Sequence, residues 1–376
     1  MNVHRPAASQ VPRCVVAGGS LVGMSAAIAL SRLGMNVTVL ELSPARAEAG
    51  GGGLGVDVEL LQKVTGISDA PPVVHGPDRD TTAWHLLQGW LEDRALAQDV
   101  TVFRGTRVTA VQPGDGRQPA LVVTADGSEY PADLVIAADG ARSQTRASMA
   151  PGEPGARYAG VLLWRALVAE QALPKGVARP RSDEPSREVY AGPYRLVTYL
   201  VPGAAGQTGV GQRRLNLVWY DPEQGDLLRG LGLLDGETVH SSVAPEAVPG
   251  PVRERLAAFA AANWPSPWRE ALALALAGGT VYGTPIVHYK PRQLVRGRAA
   301  LAGDAAHAAS PMVGGGFRQG LYDVAALTEL MSGPVSAAAI PDALDRYQQR
   351  RLGPAARHVT VSERATAAYL GHPALG

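Results

Sequence analysis

Three short stretches carry the residue types that chemistry needs, at spacings a backbone can use. The first is Gly18-x-Ser20-x-x-Gly23, set between an apolar strand and an alanine-rich helix. Glycines at its ends permit a tight turn and a close backbone approach. The helix start, through Leu21 and Val22, offers unpaired N–H groups to a pyrophosphate. Glu41 closes the next strand, where a carboxylate accepts from ribose hydroxyls and disfavours a 2′-phosphate. Ser20 stands where this motif normally has glycine; its hydroxyl is itself a donor for phosphate. The second stretch is Ala138-Asp139-Gly140-Ala141-Arg142-Ser143-Gln144-Thr145-Arg146. The third is Leu301-Ala302-Gly303-Asp304-Ala305-Ala306-His307, followed by Pro311 and Gly314-Gly315-Gly316. Each sets an acid and a glycine directly after a buried-type strand, where ligands dock in open α/β sheets. One such turn alone is an Asp-capped helix start; two in order after a dinucleotide turn are specific.

Other chemistries find no support. No His/Cys cluster has metal-ligand spacing, and no Gly-x-Ser-x-Gly elbow points to acyl hydrolysis. The formal net charge of +1 gives no reason to expect nucleic acid or an anionic membrane as partner. The single cysteine, Cys14, excludes an internal disulfide framework and suits a reducing, cytoplasmic setting. The first thirteen residues lack the apolar core of a signal peptide, and no apolar run is long enough for stable membrane insertion.

The elements that must position these turns follow from periodicity and turn residues. Arg13 to Ala17 and Asn36 to Glu41 are predicted strands around a helix from Met24 to Leu33, a βαβ unit. A glycine cluster spans Ala49 to Gly55, and a helix is expected from Thr82 to Gln98. Val100 to Val111, Ala120 to Thr124 and Asp133 to Ala138 have strand character; Asp126-Gly127 has that of a hairpin turn. The middle changes character: Val161 to Ala169, Glu188 to Val201 and Arg214 to Tyr220 are aromatic-bearing strands between Pro/Gly-rich stretches, which predicts an antiparallel sheet. Pro251 to Leu276 is predicted helical with a break near Pro265. The first character then returns with a strand from Arg298 to Leu301 and a helix from Gln319 to Met331. The tail, Pro341 to Leu370, is predicted helical and broken at Pro354. The expectation is an α/β fold: a Rossmann-like nucleotide-binding domain (1–157 and 285–340), an inserted, mainly antiparallel β substrate domain (158–284), and C-terminal helices (341–376).

Taken together, the three turns resemble those of the group A flavoprotein monooxygenases, the family of p-hydroxybenzoate and salicylate hydroxylases. The resemblance runs from Val15 to the C-terminal helices and includes the Tyr158-Ala159-Gly160 to Trp164-Arg165 segment. Within the family, the Gly-Gly-Ser turn and Leu215 to Tyr220 are most similar to the 2,6-dihydroxypyridine hydroxylases. The resemblance implies that the first turn holds the ADP moiety of FAD. It implies that Asp139, with Gly140, Ser143 and Arg146, serves FAD and NAD(P)H. It assigns Gly303 and Asp304 to the ribityl side, and sets Pro311 and Gly314, Gly315 and Gly316 against the flavin ring. Val108 is a further cofactor-side expectation. Two departures stand out: Trp84, with His85 beside it, occupies the place of a phosphate-reaching Arg, and Arg318 that of an Asn after the glycine loop.

The implied reaction consumes NADH or NADPH and dioxygen and hydroxylates a small electron-rich aromatic or heteroaromatic ring through a C4a-hydroperoxyflavin. The flavin carries that chemistry; the protein supplies position, a dry cavity and charge. The start of the helix after Gly316, with Arg318, would stabilise negative charge on the reduced ring. An ionised phenol is the better nucleophile, so a base or relay near the substrate is useful; His288 and Tyr199 are the candidates. Trp164, Trp219 and Tyr220 are expected to be core, and His307 structural. Other FAD-dependent oxygenations, such as epoxidation or Baeyer–Villiger reaction, use the same scaffold, and a non-catalytic flavin-binding protein is the rival that the two departures favour. A homodimer is the expected assembly.

Overall fold

The computed structural model describes residues 11–46, 51–181, 183–184, 186–333 and 336–371. Ala49 and Gly50 of the glycine cluster lie outside these residues. The central strands of the first sheet are short, buried and mostly apolar, as parallel strands covered on both faces must be. It contains β1 (Arg13–Ala17) and β2 (Asn36–Glu41), joined by α1 (Leu21–Arg32). Next come β3 (Gly53–Val56), α2 (Val58–Thr65), β4 (Asp80–Ala83) and α3 (Trp84–Leu96), with β3 and β4 paired antiparallel. β5 (Thr101–Arg104) joins the first sheet beside β2. A separate three-stranded antiparallel sheet is formed by β6 (Val108–Gln112), β7 (Ala120–Thr124) and β8 (Glu129–Ala132). The chain returns to the first sheet with β9 (Leu134–Ala137), followed by α4 (Gln144–Met149).

A second sheet follows, with β10 (Arg157–Ala169), β11 (Arg187–Ala191), β12 (Tyr194–Val201) and β13 (Arg214–Pro222). After α5 (Gly225–Gly230), the short β14 (Leu234–Asp235) and β15 (Thr238–Val239) extend its edge. Helices α6 (Gly250–Asn263) and α7 (Trp268–Ala277) cover one face, and β16 (Tyr282–His288) pairs antiparallel with β10. β17 (Val295–Arg296) and β18 (Ala299–Leu301) then complete the first sheet, whose order is β17-β18-β9-β1-β2-β5. α8 (Asp304–His307), α9 (Gly316–Leu330) and α10 (Ile340–Gly371) end the fold. All pairings in the first sheet are parallel except β17 with β18. This is the predicted mixture of a wound α/β sheet with an antiparallel one.

Several boundaries differ from expectation, each for a physical reason. Val100 to Val111 is two strands, because Gly105 at φ +67° turns the chain between them. Glu188 to Val201 is a hairpin turning at Gly192, φ +56°. The tail is one helix with Pro354 inside it. Pro354 removes one backbone donor, but Tyr347, Arg351, Ala355 and Val359 form a buried stripe at four-residue spacing that holds the helix straight through. α1 and α9 begin earlier than predicted, at Leu21 and Gly316, so the glycine turns run directly into helix starts. Among the described residues no helix is long and apolar enough to cross a membrane, and no cluster of His, Cys, Asp and Glu could hold a metal ion.

Candidate cofactor and substrate site

Strand register brings the three turns together. Ala17 is level with Ala137, and Ala137 with Leu301, so the turns leave the C-terminal edge of the sheet side by side. The chain reverses its direction of winding here, β2 lying on one side of β1 and β9 on the other, which opens a crevice for ligand. Gly18 sits at φ +99°, and a Cβ on it would lie 2.5 Å from the Ala138 carbonyl oxygen. A Cβ on Gly23 would run into the Gly18 carbonyl. Val22 packs against Gly303, where a Cβ would come within 2.9 Å of it, and against Gly320. The first turn is thereby keyed to the second by backbone contact at Gly18 and to the third by the Val22 side chain against Gly303, approaches that glycine alone permits.

Arg146 ties the second turn to the third. It is buried, donates to the Ala305 carbonyl at 2.9 Å and the Ala141 carbonyl at 2.8 Å, and lies 3.9 Å from the centre of the Tyr289 ring. Asp139 accepts from the Ser143 hydroxyl and from the Thr145 N–H at 3.0 Å, so its carboxylate caps α4. Below the third turn, His307 Nε2 meets Asp323 at 2.6 Å; Asp323 also accepts from Gly303 N–H at 2.9 Å and from Arg351 Nε at 2.7 Å. Burial alone would push the His307 imidazole down, but the charge and hydrogen bond of Asp323 hold it above its ordinary value; burial would raise Asp323, and His307 with Arg351 hold it low. His307 is therefore a buried strut, as its closeness to Gly303 suggested.

What the turns leave open is as informative as what they close. Neither α1 nor α9 has a side-chain cap, so two helix starts face the crevice with free N–H groups. Ser20 is the residue before α1 in extended conformation, and its hydroxyl makes no cap bond. The exposed Asp304 carboxylate accepts from no described protein group. A Cβ on Gly316 would lie 3.9 Å from it, which sets Asp304 beside the start of α9. Gly314 and Gly315 take φ of +63° and +79°. Pro311 opens a short turn before them. An anion-binding helix start, a free carboxylate and a bulk-free glycine loop fit the phosphates, hydroxyls and flat ring of a flavin dinucleotide.

Glu41 is already engaged: Oε2 accepts from Gly19 N–H at 2.6 Å and Oε1 from Ser43 N–H at 2.7 Å. Each oxygen keeps lone-pair capacity for a further donor. Arg318 is exposed, with its guanidinium folded near Gly315. Val108 is buried in the first core. Trp84 starts α3 and packs over Gly51, while the buried His85 ring lies 3.4 Å from Arg214. Sequence reasoning missed the residues that occupy the crevice on this side. Gln88, one turn after Trp84, donates to the Gly19 carbonyl at 3.2 Å and to Glu92 at 3.0 Å. Glu92 in turn pairs with Arg46 and Arg104. The signal was present as Trp84, Gln88 and Glu92 at helical i, i+4 spacing.

The second sheet contributes one face. Alternation puts Leu162, Trp164 and Ala166 of β10 on the side covered by α6 and α7, with Trp219 and Trp264. Val161 and Leu163 point the other way and pack with Val218, Tyr220, Ile286 and Met312. Trp164 and Trp219 are core, as expected; Tyr220 is buried on the opposite face from both. On that same face, Gly53 N–H donates to Asn216 Oδ1 at 2.7 Å, and a Cβ on Gly53 would lie 2.8 Å from the Tyr199 ring. Tyr199 is thus beside the glycine cluster, and burial raises its hydroxyl despite nearby Arg165 and Arg79. His288 sits elsewhere. Its Nε2 lies 3.1 Å from the Ser362 hydroxyl, which accepts from Ser310 N–H at 2.7 Å just before Pro311. It is six residues along β16 from Tyr282, roughly 20 Å at strand rise. The structure does not bring the two candidates together: Tyr199 lies against Gly53, and His288 is bonded through Ser362 to the loop before Pro311.

Comparisons with known proteins agree with this geometry. Residues 2–157 match the Pyridine nucleotide-disulphide oxidoreductase family, 158–275 the FAD binding domain-like family, and 284–362 the FAD binding domain family. The chain is 28% identical over 369 residues to the aurachin C monooxygenase/isomerase of Stigmatella aurantiaca, covering 90% of this chain and 84% of that one. It is 26% identical over 398 residues to a salicylate hydroxylase of Pseudomonas putida, covering 93% and 83%. The solved structure of 2,6-dihydroxypyridine-3-hydroxylase from Arthrobacter nicotinovorans superposes with a TM-score of 0.74 at 19% identity, covering 96% and 93%, a likeness of fold.

Proposed function

The chain belongs to the FAD-dependent aromatic monooxygenases, and on that premise we propose that it hydroxylates a small electron-rich aromatic or heteroaromatic ring held between the third turn and the face of the second sheet that carries Tyr199. One observation carries this reading: three turns keyed together by glycine contacts, with two uncapped helix starts and an unpartnered Asp304 facing one crevice. Bound FAD supplies the redox chemistry, with NAD(P)H as electron donor and dioxygen as oxidant.

The residues proposed to hold it are Gly18, Ser20, Leu21, Val22, Gly23 and Glu41 at the ADP side. Gly303, Asp304, Pro311, Gly314, Gly315 and Gly316 serve the ribityl and ring side. Asp139 acts on the second turn through its cap rather than on the ligand, and Val108 supports from the core. The N–H groups at the start of α9 bias negative charge toward the ring. Arg318, exposed at the same helix start, adds to that bias. Tyr199 is the polar contact proposed for the substrate; His288 holds Ser310 and hence the approach to Pro311. The domain division proposed is 1–157 with 285–340 around 158–284, and 341–376 as the closing helix. The single, fully buried cysteine supports a reducing, cytoplasmic setting; a homodimer is the proposed assembly, which light scattering of the purified protein reads directly.

The test is direct. Purified protein should be yellow and release FAD on denaturation. NAD(P)H consumption and oxygen uptake should rise when a suitable phenol or hydroxypyridine is added, with an oxygenated product. Protein that neither binds FAD nor quenches its fluorescence overturns the reading. Fast NAD(P)H oxidation that no ring changes, with stoichiometric hydrogen peroxide, makes it an oxidase instead.

A further inference from the structure

We propose that His358 is the outer end of a proton path to the third turn, with one water molecule held between its Nε2 and the Nδ1 of His307. Both nitrogens are enclosed, and neither has a hydrogen-bond partner among the described residues. The two rings stand edge to face, 6.1 Å between centres and 87° between planes. That spacing is one a single water spans with two bonds of about 2.8–3.0 Å each. Helix periodicity sets the pair: His358 follows Arg351 by two turns on the same face of α10, and Arg351 bonds the Asp323 that holds His307.

The surrounding charges make one ring a donor and the other an acceptor. Burial lowers the His307 imidazole, but Asp323, by charge and hydrogen bond, and Asp304, by charge, outweigh burial and Arg351 and hold it above its ordinary value. Burial also lowers His358, and His307, Arg318 and Arg351 add to that, with Asp323 alone opposing them. Near pH 6.5, the ordinary value of both, His307 is therefore mostly charged and His358 mostly neutral. A charged His307 offers an N–H at Nδ1, and a neutral His358 protonated at Nδ1 offers a lone pair at Nε2. A water accepts from the first and donates to the second, which satisfies two buried groups at once.

The path solves a problem of access. The His307 side chain is fully buried, whereas His358 is partly exposed. When a proton leaves, the His307 Nδ1–H bond breaks as an O–H bond forms at the water. An O–H bond of the same water breaks as an N–H bond forms at His358 Nε2, and His358 releases its Nδ1 proton to solvent. His307 keeps its Nε2–H on Asp323. The net change is one positive charge, three residues from Asp304, in a turn whose Gly303 N–H is bonded to the same Asp323. A flavin changes charge with its redox state. On the reading that this turn holds FAD, the path lets the protein answer that change without opening its core.

Two measurements on the FAD-loaded full chain test this. A high-resolution crystal structure should show an ordered water within hydrogen-bond distance of both nitrogens. In protein carrying isotope-labelled histidine, magnetisation transfer from water gives the exchange rate of the His307 Nδ1 proton, whose signal is identified by its loss in H307Q. H358F keeps a ring in place and removes the acceptor. Exchange should slow about tenfold or more, the scale of one hydrogen bond lost from the path. H358Q, which keeps an acceptor oxygen, should recover most of the rate. A purely structural role predicts the opposite, because loosened packing speeds exchange. H358L carries the same comparison where H358F loses its fold, and the crystal structure needs no variant. A site without the water, or exchange that is unchanged or faster without the His358 acceptor, overturns the proposal. The water and the slowed exchange in a protein that takes up no FAD sustain the path and sink the cofactor reading.

Discussion

The two sheets solve recognition in different ways. At the edge of the first, glycine turns do the work: Gly18 and Gly23 allow main-chain atoms to touch, Gly303 makes room for the Val22 side chain, and helix starts are left uncapped beside Ser20 and Asp304. On the second, side chains from separate strands meet: Tyr199 from β12, Asn216 from β13, Arg165 from β10 and Tyr282 from β16. Backbone recognition suits a ligand that never changes, because it depends on geometry and not on side-chain identity. Side-chain recognition leaves strand and register intact while the contacting groups vary, which suits the part that sets specificity. The relatives and the solved structure similar to this chain are named for different substrates.

If this contrast is right, the largest effect belongs to the backbone. Gly23→Val drives a side chain into the Gly18 carbonyl. FAD affinity, read by fluorescence quenching, should fall about a hundredfold or more, the equivalent of about 3 kcal/mol. Retained affinity in the folded variant breaks the comparison at its strongest point.

Asp304→Ala comes next. It leaves cofactor hydroxyls unpaired, a loss of about 1–3 kcal/mol or roughly five- to 150-fold in FAD affinity. His307→Ala should do the reverse: it removes a buried strut from Asp323 and lowers the melting temperature of the apoprotein, with a smaller loss of FAD affinity. Equal FAD retention in the two variants removes the role given to Asp304.

The His307–Asp323 pair sharpens the contrast through pH. His307 is held above its unfolded value near 6.5. Its contribution to stability is therefore complete below about pH 6.5 and is lost as pH rises through the raised folded value. Asp323, held low, contributes above about pH 4 and loses that only in stronger acid. The margin by which the native chain out-melts His307→Gln should shrink as pH rises above about 6.5. A margin that grows with pH would show that the imidazole is neutral in the fold.

The smallest effect is expected at His288. His288→Gln should cost about 1 kcal/mol of stability through the bond to Ser362. Substrate-stimulated NAD(P)H oxidation should stay within roughly twofold, about 0.4 kcal/mol of barrier. A loss of the rising limb of the pH–rate profile in this variant would restore His288 as a proton acceptor.

The amino-acid sequence by itself determined the three turns at the edge of the first sheet. Tight turns at strand ends demand glycine and an acid at fixed spacing, and Gly18 to Gly23, Asp139 and Gly303-Asp304 declare themselves through that local demand. The bounds of β1 and β2 were legible to the residue, because both are short β-branched-rich stretches bounded by turn residues. Tertiary structure alone decided the rest. The tail continues through Pro354 because a buried stripe outweighs one missing donor. Arg46 and Arg104 converge on Glu92 from distant strands and loops. Arg165, Asn216, Tyr199 and Tyr282 become neighbours only through strand register, which is set by long-range pairing. A local motif records what one turn of chain must do; a cluster of side chains assembled across four strands leaves no such record in any one of them.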